Sequence, residues 1–275
     1  MNPQSLKDNA LFLSCWYERS RPVQLICFGI MILSILLLSF LNITLNEINI
    51  SRVLESLFYV IAWIQTLVLL AQGTLFASHL ASRERTSETL DFHRNSPQPV
   101  KDKIVGLVFG STWFEWAIFS GFFIIELPFA LLRNIQITQV LLFNLSLLLS
   151  GIFFHTTAVA ISLLSTQKKR GSSIFALLLV LFFVGPLFLS FTSTSSSTFI
   201  SHLLGFTAYQ HIYLDKYTQF NGRFYNLEFP LIVMQAIVQM PLFLLMVNGM
   251  KRIFCLPNSP AWSKEHVIYF CAFLF

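Results

Sequence analysis

Long apolar runs alternate with short polar segments along the chain, and six of the runs are long enough to cross a bilayer as helix. They cover residues 23–45, 53–80, 104–132, 139–165, 174–191 and 229–248. The second and third exceed the thickness of the hydrocarbon, so they tilt or continue beyond it as helix. Before the first run, Leu6, Ala10, Leu13 and Tyr17 recur at helical spacing, with Trp16 and Tyr17 suited to the headgroup zone. Residues 1–22 therefore read as an amphipathic helix lying on the membrane, the plainer reading being a disordered tail.

Two polar segments break the pattern. Residues 82–103, SRERTSETLDFHRNSPQPVKDK, are dense with charge of both signs. Good helix formers run from Arg83 to Arg94, Asn95-Ser96-Pro97 is a stop signal, and Pro99 keeps the chain extended before Lys101. A short charged helix held between the second and third runs is expected, with Leu90 and Phe92 as apolar points of a docking surface. The bland reading is a solvated loop. Residues 192–228 open with the run TSTSSST. They continue with a helical stripe of Ile200, Leu203, Leu204, Thr207, Ala208 and His211, then several aromatic residues. Short interfacial or re-entrant helices fit this segment, against a disordered or glycosylated loop.

After PNSP the chain closes on VIYFCAFLF, too short to span. Residues 257–275 read as a hydrophobic tail on the bundle or as the start of a further span. The fold expected is an all-α polytopic membrane protein with one six-span membrane domain over residues 1–256.

Charge then orients the spans. With the N-terminus inside, fourteen of the eighteen Lys and Arg residues fall on inside segments. Arg52, Arg133, Lys216 and Arg223 are the four outside. The positive-inside rule places both termini, and residues 82–103, in the cytoplasm. Composition agrees with the class: 55% of residues are hydrophobic and 11% charged, against about 25% charged in soluble domains. The net charge of +5 sets topology and does not point to nucleic acid. Cys15, Cys27, Cys255 and Cys271 form no C-x-x-C pair, so neither a disulfide framework nor a zinc site is expected.

Candidate chemistry is sparse. There is no Gly-Lys dipeptide, hence no phosphate-binding loop, and no H-E-x-x-H or G-x-S-x-G. His79, His93, His155, His202, His211 and His266 never recur at i, i+3 or i, i+4 spacing, so no helix carries a metal pair. No bound cofactor and no metal are expected, and an intramembrane enzyme is disfavoured. Glu115 and Glu126 lie in the third run. A carboxylate in lipid is costly, so each faces protein or water, as a proton- or substrate-handling group or as a hydrogen-bonded element of the bundle. Pro128 follows Glu126, and Pro186 and Pro241 lie in later runs, where helices bend or tolerate them. Gly106 and Gly110 form a G-x-x-x-G helix-packing pair.

Residues 83–110 resemble the segment that follows the second span in type-2 ABC exporter permeases. The matching residues are Arg83-Glu84, Glu88-Thr89-Leu90-Asp91, Ser96-Pro97 and Gly106/Gly110, with Ser87-Glu88 where the usual pattern has glycine. The resemblance implies a transmembrane permease subunit in the cytoplasmic (inner) membrane of a bacterium, exporting a substrate. In such permeases this segment is the coupling helix, which docks into a groove on a nucleotide-binding ATPase subunit. Arg83, Glu84, Glu88, Thr89, Leu90, Asp91, Phe92, Arg94, Ser96 and Pro97 would form it here. ATP and Mg would be used by that partner, and a second permease subunit, identical or not, would complete the pathway. The competing reading is a stand-alone secondary transporter or channel working through Glu115 and Glu126.

Overall fold

The structure, a computed structural model, describes residues 50–87, 89–132, 136–164, 221–224 and 227–255, together with Leu13, which is helical and exposed. The expected spans at 23–45 and 174–191 lie outside the described residues. So do the rest of the N-terminal helix, the tail at 257–275 and most of the 192–228 segment.

The described chain is helical apart from one short ribbon. Helix α1 (Ile50–Thr66) runs through a π-helical turn (Leu67–Gln72) into α2 (Gly73–Thr86) without interruption. Then come α3 (Thr89–Asn95), α4 (Val100–Ser111), α5 (Trp113–Leu132) and α6 (Ile137–Leu164). Strands β1 (Asn221–Phe224) and β2 (Leu227–Pro230) pair antiparallel, with Phe224 opposite Leu227. Helix α7 (Leu231–Cys255) starts directly after Pro230, whose fixed φ suits a helix start. The described end of the 192–228 segment is thus paired strand rather than helix.

Among the described residues, four helices are long and apolar enough to cross a membrane: Val60–Arg85, Trp113–Leu131, Ile137–Leu164 and Ile232–Cys255. They fall on the second, third, fourth and sixth of the expected runs. The third run differs in one respect. Residues 104–132 read as a single span, but Thr112 leaves the helical region (φ −119°, ψ 13°) and divides the run into α4 and α5. Ser111 and Thr112 cause the break locally. Both hydroxyls turn back on the Val108 carbonyl, at 3.0 and 2.9 Å, and Thr112 Oγ1 also accepts from Trp116 Nε1 at 3.0 Å. Such side chains offer the backbone an alternative to continuing the helix.

Helix α6 is the centre of the bundle, packed along α2 on one side and α7 on the other, while α5 packs on α1. One apolar cluster joins α1, the π turn, α5, α6 and α7 around Phe58, Leu69, Phe143 and Leu147. A second joins α2, α3, α4, α6 and α7 around Ala77, Leu107, Ala158 and Met250. Gly106 and Gly110 are buried in α4, which packs against α2 and α7.

Candidate functional site

Helix α3 is positioned by its two ends and by one side chain. At its start, α2 stops at Ser87, whose backbone N–H and hydroxyl both donate to the Arg83 carbonyl at 2.9 Å. Thr89 Oγ1 donates to the Glu84 carbonyl at 3.1 Å and to Glu84 Oε2 at 2.5 Å. His93 Nε2 lies 3.6 Å from the same Glu84 carboxylate oxygen. Glu88 lies outside the described residues. At the other end, Ser96 Oγ donates to the His93 carbonyl at 2.9 Å, a local cap that ends the helix. The Lys103 ammonium, almost wholly buried, donates to the carbonyls of Arg94 (3.3 Å) and Ser96 (3.0 Å). A cation belongs at a helix C-terminus, where carbonyls lack partners.

The two apolar residues of α3 point to opposite surroundings. Leu90 is 5% exposed and sits in the cluster with Ile104, Leu107 and Met250. Phe92 is 71% exposed, the highest value among the described large apolar residues, and its ring stands T-shaped to that of His93. Arg94 spans two elements: Nη1 pairs with Asp91 at 2.5 Å, and Nε donates to the Ile253 carbonyl of α7 at 3.2 Å. Arg85 donates to the Leu163 carbonyl near the end of α6 at 2.6 Å. The segment from Arg83 to Lys103 is therefore fastened to α2, α4, α6 and α7, and Phe92 projects from it. Pro97 is exposed.

A second assembly lies among the apolar helices. Gln65 of α1, Asn144 of α6 and Glu126 of α5 are linked in sequence. Gln65 Nε2 donates to Asn144 Oδ1 at 2.7 Å, and Asn144 Nδ2 donates to Glu126 Oε2 at 2.8 Å. Gln65 and Glu126 have no exposed surface. Glu115, also fully buried, is not part of this group. The break at Thr112 puts it in the first turn of α5 rather than deep in a span, at the end of the helix dipole that favours a carboxylate.

Three further polar contacts between helices could not be foreseen from the sequence. Gln235 Nε2 of α7 donates to the Ser146 carbonyl and to Ser150 Oγ of α6, both at 2.8 Å, and Ser146 Oγ meets Gln235 Oε1. Nearer the α3 end, Ser78 and Ser162 bridge α2 and α6 at 2.8 Å. His155 of α6 reaches the π turn, with Nε2 2.8 Å from the Leu69 carbonyl and its ring edge-on to Trp116. Glutamine or asparagine inside an apolar run was the available signal for the first group. Such residues rarely sit in lipid without a helix partner.

Among the described residues, no three His, Cys, Asp or Glu side chains come together as a metal site. No family model, no curated protein and no solved structure matches the chain.

Proposed function

We propose that this chain is the transmembrane permease subunit of an ATP-driven exporter of the type-2 ABC class. Helix α3 is its cytoplasmic coupling element. The fuel is hydrolysed, with Mg, on a separate nucleotide-binding subunit, and a second permease subunit completes the pathway in the inner membrane. The observation that carries this reading is the division of labour on α3. Leu90 is sunk into the bundle and Phe92 is held out of it, on a seven-residue helix tied to the ends of four others. A plain loop has no need of buried anchors. A push on Phe92 would pass through Leu90, Lys103 and Arg94 into α2, α4 and α7 together, because packed elements transmit displacement rather than absorb it. The resemblance of residues 83–110 to the coupling segment of such permeases supports the same reading.

The two apolar residues separate folding from docking. Leu90→Ala should lower the unfolding free energy of the detergent-solubilised chain by about 2–4 kcal/mol, the usual cost of emptying a packed site. Phe92→Asp should change it by less than about 0.5 kcal/mol, because the side chain is exposed. Affinity purification from the native membrane, with mass spectrometry, should recover an ATPase bearing a phosphate-binding loop with the wild-type chain. The Phe92→Asp chain, folded and present in equal amount, should lose it. A wild-type chain that purifies without any ATPase would overturn the proposal, as would retention of the ATPase by Phe92→Asp.

A further inference from the structure

The Gln65–Asn144–Glu126 group is one hydrogen short. Both amide hydrogens of Asn144 are used, one on Glu126 Oε2 and one on the Val140 carbonyl at 2.9 Å. Both of Gln65 are used as well, one on Asn144 Oδ1 and one on the Phe119 carbonyl at 3.3 Å. These partners fix the direction of both amides, since turning Gln65 over would set its oxygen against two other acceptors. Two buried oxygens are left without a partner among the described residues, Gln65 Oε1 and Glu126 Oε1. If Glu126 is ionised, both are stranded acceptors in an apolar bundle.

Charge balance makes that state worse. None of the six apolar runs contains a Lys or Arg, including the two outside the described residues. The elements packed on α5 are α1, the π turn, α6 and α4. Their titratable groups are distant along the helices. Glu55 of α1 is about 15 Å in axial rise from Gln65, and Arg52 of α1 is farther. His155 of α6 is about 16 Å from Asn144 in the same measure, and Glu115 on α5 itself is about 16 Å from Glu126. Lys101, Asp102 and Lys103 lie at the far end of α4. Arg133, which follows α5, lies outside the described residues; among those described, an ionised Glu126 would be a buried charge without a counter-ion, an arrangement membrane interiors do not sustain.

We propose that Glu126 is a proton-binding site, in which Oε1 holds a proton and donates it to Gln65 Oε1, so that Gln65, Asn144 and Glu126 close into one hydrogen-bonded ring across α1, α5 and α6. One added proton turns two stranded oxygens into a donor–acceptor pair. The balance is simple: a proton from water forms an O–H bond on the carboxylate, and nothing else is made or broken. The ring stands on these three residues and is independent of any ATPase.

Infrared difference spectroscopy of the full chain in lipid bilayers near neutral pH tests it. Subtracting the Glu126→Gln spectrum from wild type should leave the carbonyl stretch of an un-ionised carboxylic acid, displaced in D2O. Glu115→Gln should retain that band. Glutamine can donate to Gln65 Oε1 as the protonated acid does, so this variant is expected to fold. Gln65→Leu is the second handle: it removes the acceptor, and the acid band should shift to higher frequency. A carboxylate band in the Glu126 difference spectrum, or an acid band unmoved by Gln65→Leu, would overturn the proposal.

Discussion

Gly73→Ala is expected to lower the stability of the purified chain by about 2–4 kcal/mol, through overpacking and the loss of one buried hydrogen bond. The cause lies in the π turn. Gly73 N–H bonds to the Val68 carbonyl, five residues back, rather than to Leu69 as an α-helix would require. His155 Nε2 takes up the Leu69 carbonyl instead, at 2.8 Å. Because it meets a carbonyl, Nε2 is the protonated ring nitrogen, as donor geometry requires. The ring lies where a side chain at 73 would stand: an added Cβ would overlap Nε2 and lie 2.9 Å from Cε1. Gly73 has ordinary right-handed helix angles (φ −58°, ψ −43°), so the position demands space and not backbone freedom. His155 cannot easily withdraw, since Trp116 stands against it and Gly151, one turn back on α6, is closed over by Trp116 and Leu69.

A double-mutant cycle gives the measurement. His155→Ala alone should also destabilise, by losing the bond and leaving a cavity. Adding Gly73→Ala to it should then cost much less than in the wild-type background, a coupling of at least about 1 kcal/mol. Unfolding in detergent or mixed micelles reads all four corners. Additive costs would mean that the ring does not occupy the space above Gly73.

Asn144→Leu should be the most damaging single change in the buried polar group. Hydrogen bonds between membrane helices average only about 0.6 kcal/mol, so losing the two that Asn144 makes to Gln65 and Glu126 would cost about 1 kcal/mol. The substitution does more, because it leaves the Gln65 amide and the Glu126 carboxyl buried without it. Stranded buried groups cost about 1–3 kcal/mol each, and the expected total is about 2–5 kcal/mol. The triple replacement Gln65→Leu/Glu126→Leu/Asn144→Leu should recover most of the loss, since a polar network removed whole is far less harmful than one broken in part. The same micelle unfolding measurement decides. A loss near 1 kcal/mol for Asn144→Leu would mean that water or another partner reaches the stranded groups.

Particular residues mark how far the sequence could be read. The Asn95-Ser96-Pro97 stop and the long apolar runs were legible because they depend on neighbours in the chain. A proline two residues on, or twenty apolar residues in a row, acts the same way wherever it occurs. Helix α3 accordingly ends at Asn95, as its stop signal predicts. Its beginning was read too early, because Arg83–Thr86 have the same helix-forming composition and belong to α2. The candidate carboxylates were visible as charges in apolar runs, but their different settings were not. Glu126 lies among three helices, while Glu115 lies at a helix start.

Sequence by itself determined that this is a helical membrane protein with a charged segment between its second and third apolar runs, because hydropathy and helix stops are local sums over the chain. The tertiary structure alone decided that the third run divides at Thr112 and that α1 passes into α2 through a π turn filled by His155. It alone joined Asn144 to Gln65 and to Glu126, 79 and 18 residues away along the chain. Those outcomes depend on which helix faces meet. In an apolar bundle a buried polar group must find whatever partner a neighbouring helix brings, and no window along one helix contains that information.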